Sequence, residues 1–171
     1  MLPEFPQRDE RATPARDAPA RSAPLKFEPT LVPRLLGAQK ALTARFADLV
    51  GLIERDPRSS IAEIENCARL FGAMRQFETT ALYPVLAHAV EGDAGARGQL
   101  LELRLIALMM ARRAQRSFEE LLQAVRAEVL VADAARRVSA ALAKYFSHAA
   151  QATYPLYELV GTQRQDASEV A

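Results

Sequence analysis

The chain lacks tryptophan altogether and has one cysteine, seven glycines and 6% aromatic residues over 171 positions. Each shortage removes a class of answer. A lone thiol, Cys67, cannot form an internal disulfide, so a disulfide-stapled scaffold is excluded and a reducing compartment fits. Scarce glycine favours helix over sheet, and no segment alternates with period two long enough to read as a strand. Charge of either sign is not in excess: the formal net charge is +1, so no global field draws the protein to nucleic acid or an acidic membrane. No apolar run approaches the roughly 20 residues of a spanning helix. Met1 to Pro24 has no apolar run of the length a signal peptide needs, so the cytoplasm is the expected location. Gly-x-Ser-x-Gly, a phosphate-cradling glycine loop and Cys-x-x-Cys are all missing, which removes the commonest nucleophile and nucleotide motifs.

What is present is half hydrophobic, and alanine and leucine dominate. Six of the ten prolines fall in residues 1–29, where arginines and carboxylates alternate and cancel. Such a segment buries too little apolar surface to offset its ordering entropy and reads as a disordered tail. Residues 30–160 carry four amphipathic stretches, and the polar end, 161–171, reads as a flexible tail.

The first stretch opens near Thr30, a candidate N-cap, with Pro33 tolerated in the first turn. Its stripe is Leu35, Gln39, Leu42, Phe46, Leu49 and Ile53, and Asp56-Pro57 stops it. The second starts at a capping box, Ser60-Ile61-Ala62-Glu63, and carries Ile64, Cys67, Phe71, Met74, Glu78, Ala81, Val85 and His88. The third, after the break at Gly92 to Gly95, carries Leu100, Leu103, Ala107, Met110, Ala114, Ser117, Leu121 and Ala124. The fourth carries Val131, Ala135, Val138, Leu142, Tyr145, Ala149, Ala152, Leu156 and Leu159. Steps of three and four alternate, which is the seam of nearly aligned packed helices, and short connections make neighbours antiparallel. The expected fold is all-α, an up-down-up-down four-helix bundle.

Two Tyr-Pro pairs, Tyr83-Pro84 and Tyr154-Pro155, stand 71 residues apart, each inside a helical pattern. A proline there loses a backbone hydrogen bond and clashes with the preceding turn, at about 3 kcal/mol. Two such pairs in matching places suggest one helix pair used twice. The seam itself has polar exceptions: Gln39, Glu78 and Tyr145. A carboxylate facing a core must be paired, hydrogen-bonded or protonated, so Glu78 is the first residue to single out. With Met74 these residues line a candidate polar site inside the bundle, where helical proteins hold ligands; the plainer alternative is a buried group that fixes helix register.

On these residues the chain resembles a hemerythrin-like domain of the bacterial HHE type over about residues 30–160. That family is a four-helix bundle holding two irons, with a histidine in the first helix of each pair, His-x-x-x-Glu in the second, and an aromatic-Pro pair nine and ten residues after that histidine. Carried over, the ligand positions become Gln39, Met74 and Glu78, Leu103, and Tyr145 with Ala149. Glu78 and Tyr145 are the only iron donors left. One carboxylate and one phenol cannot hold two irons, so the resemblance implies the fold without the di-iron centre, without a cofactor and without oxygen chemistry. The leftover positions then form a relict site, with Glu78 bound by Gln39 or the Tyr145 hydroxyl. A mononuclear site of Glu78, His148 and Tyr145 is the altered-metal alternative, and His88 falls near the end of the second helix.

The stretch Leu31-Val32-Pro33-Arg34-Leu35-Leu36, with Lys40-Ala41-Leu42 and Leu49-Val50-Gly51, is also similar to the opening helix of the Rsd/AlgQ regulators. That likeness implies a bundle that binds sigma factor or RNA polymerase. Arg112, Arg113 and Arg116 cluster on the third helix and read as a solvated face, not a nucleic-acid site. The expected protein is therefore a non-enzymatic, regulatory bundle acting by protein or small-ligand contact, with transcription machinery among its candidate partners. Self-association as a homodimer through an exposed apolar strip stays open.

Overall fold

In the computed structural model the described residues run from Phe27 to Glu169. Residues 1–26, most of the segment expected as a disordered tail, lie outside them, as do residues 170–171. Six helices succeed one another: α1 (Leu31–Arg55), α2 (Ile61–Phe77), α3 (Tyr83–Ala89), α4 (Ala94–Ala127), α5 (Val131–His148) and α6 (Tyr154–Glu169). A π-helical turn, Glu78–Leu82, joins α2 to α3, and a second, Ala149–Thr153, joins α5 to α6. Six helices thus make four rods. The described residues contain no strand. The four rods pack together as an all-α bundle, with α1 against α2 and α5, and α4 against the same two. Among the described residues no helix is long and apolar enough to cross a membrane.

Each π turn ends at a Tyr-Pro pair. The Tyr83 N–H donates to the Glu78 carbonyl and the Tyr154 N–H to the Ala149 carbonyl, five residues back in both cases. A proline ring in a regular α-helix would strike the carbonyl four residues before it. The wider turn relieves that clash, and it does so twice in matching positions. Neither helix is therefore continuous, as the apolar pattern alone had implied.

The extra residue in each π turn also shifts the helical phase of the residues beyond it. Leu156 and Leu159, expected on the inner stripe, are exposed, while Thr153, Tyr154, Tyr157 and Gly161 are buried. His88 is exposed, and Leu82, Tyr83 and Leu86 take the inner positions beside Val85. Before the first π turn the stripe holds as read: Leu35, Gln39, Leu42, Phe46, Leu49 and Ile53 are all buried on α1. The core centres on Phe46, Phe71, Phe118, Tyr145 and Phe146, whose rings meet edge-on or tilted.

Two expected caps take other forms. Ser60 and Glu63 make no capping box: a 3₁₀ turn over Arg58–Ser60 leads into α2 and keeps Ser60 in helical geometry. The Ser60 hydroxyl donates back to the Pro57 carbonyl, and Glu63 pairs with Arg45 of α1. Thr30 stands at the start of α1, but its hydroxyl donates to Glu28 Oε1 and caps no helix N–H. Asp93 does cap α4, accepting from the Ala96 N–H at 3.0 Å.

The bundle also reaches past the ends expected for it. Phe27 stacks on Tyr157 with ring centroids 4.8 Å apart, and the Glu28 N–H donates to the Tyr157 hydroxyl at 2.9 Å. A Cβ placed on Gly161 would fall 1.9 Å from the Phe27 ring, so this glycine makes room for the segment that precedes α1. α6 continues through Glu169, beyond the expected limit at residue 160.

Candidate functional site

Glu78 opens the first π turn and is only 3% exposed. Its inward direction comes from the helical spacing Phe71, Met74, Glu78, all buried on one face. Both carboxylate oxygens are engaged. The Tyr145 hydroxyl of α5 donates to Oε2, and the Tyr154 hydroxyl donates to Oε1 at 2.7 Å. Gln39 of α1 then donates its Nε2 hydrogen to the Tyr154 oxygen at 2.6 Å. Gln39, Tyr154, Glu78 and Tyr145 form one chain of donors and acceptors that ends on the carboxylate.

The electrostatics agree with that geometry. Burial is the main effect on Glu78 and raises its pKa above the usual carboxylate range, opposed by the two tyrosine hydroxyls and by the Arg75 charge. Burial also pushes the Tyr145 and Tyr154 phenols far above their ordinary value, and the neighbouring Glu78 charge pushes them further. Tyr83, also buried, is raised for the same first reason. These phenols stay neutral donors at any physiological pH. Arg75, one turn before Glu78, lies over the Tyr145 ring at 5.7 Å and reaches the Ala107 carbonyl at 3.5 Å.

The positions expected to form the relict site divide. Gln39, Glu78 and Tyr145 join in one network, though Gln39 reaches Glu78 through Tyr154 and not directly. Met74 is buried one turn before Glu78. Leu103 is half-buried on α4, whose buried residues begin only at Ala107. His148 makes no hydrogen bond to Glu78 or Tyr145, and its buried Nε2 has no hydrogen-bond partner among the described residues. His88 pairs with Glu91 on the surface.

Tyr154 is the residue that sequence reasoning missed, and the Tyr-Pro pair was its signal. Unbroken helical periodicity assigned the inner position to Ala152 and Leu156. The π turn that precedes Tyr154-Pro155 moves Tyr154 inward instead.

The donor set does not suit a di-iron centre. Such a centre needs several imidazoles and bridging carboxylates, whereas Glu78 is the one buried carboxylate among the described residues and its two oxygens accept from neutral phenols. Among the described residues no three His, Cys, Asp or Glu side chains gather where an ion could be held. No family model, curated protein or solved structure matches the chain.

Proposed function

We propose that this chain is a non-enzymatic, hemerythrin-like bundle of up-down-up-down topology whose former ligand positions have become a structural hydrogen-bond network, and that it acts by contact with a partner. The observation that carries the reading is the engagement of both Glu78 oxygens by tyrosine hydroxyls. A carboxylate so bound, with Gln39 on Tyr154, ties three rods into one register and puts both of its oxygens to structural use. The topology is supported by short links and by the packing of each rod on its sequence neighbours. Likeness to the family is supported by the two π turns, each closing on a Tyr-Pro pair in corresponding places.

Elemental analysis of protein purified from iron-rich medium tests the reading. Iron and zinc well below one per chain are expected, and near-stoichiometric metal would overturn it in favour of an altered metal or oxygen site. A regulator of the Rsd/AlgQ kind, binding sigma factor or RNA polymerase, is the second proposal. It is favoured by an exposed apolar face on α4, where Leu101, Leu105 and Met109 lie open. Co-purification with sigma factor would raise it to first.

A further inference from the structure

From Leu100 to Met110 every residue of α4 is apolar except Glu102 and Arg104. A helix apolar on all sides is ordinarily covered on all sides. Here one side is bare: Leu101 is 65%, Leu105 56% and Met109 62% exposed. Successive steps of four place them on one line along the helix. Continuing the line by three and four residues reaches Arg112 and Arg116, with Arg113 beside them. At 1.5 Å per residue the line from Leu101 to Arg116 is about 22 Å long.

At its basic end the line opens into a groove of about 600 Å³ between α4 and α5. Its far wall brings Arg137 and Lys144, with Ala140 and Ala141 between them. Glu120 is the one carboxylate there, and it is already paired with Arg137 at 3.4 Å. Arg112, Arg113, Arg116 and Lys144 make no ion pair among the described residues. Four unpaired cations thus converge on one groove in a chain whose net charge is +1.

We propose that this surface is a docking face for an acidic amphipathic helix of a partner protein, with the partner's apolar residues on Leu101, Leu105 and Met109 and its carboxylates in the α4–α5 groove. Two observations select that occupant. The cations need carboxylates, and arginine clusters bind them with paired, directional hydrogen bonds. The aliphatic half of the line needs apolar side chains, which a nucleic acid does not bring, and no aromatic ring on the line offers a stacking platform. A second copy laid antiparallel over Leu105 would set Arg113 against Arg97. The inference rests on the reading of this chain as a contact protein and names the surface involved.

The test uses the full chain and a labelled synthetic helix bearing three aligned leucines followed by three glutamates. Its twin carries lysine for glutamate, and binding is read by fluorescence anisotropy. The glutamate peptide should bind, with affinity falling as salt rises, and the lysine peptide should bind at least about tenfold more weakly. Arg112→Glu with Arg116→Glu, and separately Leu105→Ser with Met109→Ser, should each weaken binding about tenfold while the circular dichroism spectrum stays native. Equal binding of both peptides, or none, overturns the proposal. So does tighter binding of a single-stranded oligonucleotide, or a dimer in sedimentation that Leu105→Ser dissolves. Metal content is measured on the same preparation. Failed peptide binding by metal-free protein removes the docking face alone, whereas stoichiometric metal removes the contact-protein reading whatever the peptide does.

Discussion

The Tyr154 hydroxyl lies 2.7 Å from Glu78 Oε1, although 76 residues separate the two along the chain. Each belongs to a π turn or its immediate end, one in each half of the molecule. The contact therefore locks the two proline-bearing rods to one another at the point where both depart from regular helix.

The charge on Glu78 should be a burden to the fold. Its raised pKa means that the unfolded chain, near the ordinary value of 4.5, releases the proton before the folded chain does. Stability from this group is full below that value and falls as pH rises through it toward the folded value. Glu78→Gln is neutral throughout and still offers an acceptor to one phenol. At pH 7 it should match the parent or exceed it by up to about 1 kcal/mol, with the gap closing at pH 4. Urea unfolding across that range measures it. A loss of about 3 kcal/mol at neutral pH would mean instead that the charge is paired inside.

Tyr154→Phe removes one oxygen that serves two partners. It strands Gln39 Nε2 and Glu78 Oε1 in the interior, and should cost about 2–4 kcal/mol. Gln39→Leu added to it deletes one of the stranded groups. The double variant should lose at least about 1 kcal/mol less than the sum of the singles. Additive losses in a denaturation cycle would separate Gln39 from the network.

The π turns invite a deletion experiment. A π turn holds one residue more than the α-helix would, and Thr80 in the first one is exposed. Deleting Thr80 tightens the turn and puts the Thr79 carbonyl four residues before Pro84, in the path of its ring. That deletion should cost about 3 kcal/mol more with Pro84 present than in a Pro84→Ala background. Equal losses in the two backgrounds would show that the proline does not set the turn.

Gly161 should respond to alanine with opposite sign in two backgrounds. In a helix with open space the change gains up to about 1 kcal/mol. Here the new Cβ would displace the Phe27 ring, so Gly161→Ala should lower thermal stability in the parent and raise it in Phe27→Ala. A gain in both would detach Phe27 from α6.

Cys67 is fully buried, and burial pushes its thiol up to about 11. The native protein should react with a thiol reagent only as fast as it opens, with the rate rising through the unfolding transition. Rapid stoichiometric labelling under native conditions would contradict its place in the core.

Four rods were legible because apolar spacing reports burial where one face alone is apolar and helical phase is unbroken; on α4, apolar on all sides near its start, the expected inner residues Leu100, Leu103 and Met110 are only half-buried. The α1 stripe, from Leu35 to Ile53, held residue for residue, and so did Phe71, Met74 and Glu78 up to the first π turn. In the two proline-bearing rods periodicity failed one turn later, and again after Ala149, for one reason. It assumes a constant angle per residue, and each π turn adds a residue without adding rise in proportion. The proline was visible, but its remedy was not: a kink, a break and a widened turn are all open to it in sequence.

The amino-acid order by itself therefore determined an all-helical chain, the inward faces of α1 and α2, and a carboxylate that had to find partners. Tertiary structure decided who those partners are. Hydrogen bonds are short-ranged and directional, so the choice among Gln39, Tyr145 and Tyr154 depended on how the packed rods present each side chain, and for Tyr154 on the π turn that precedes it.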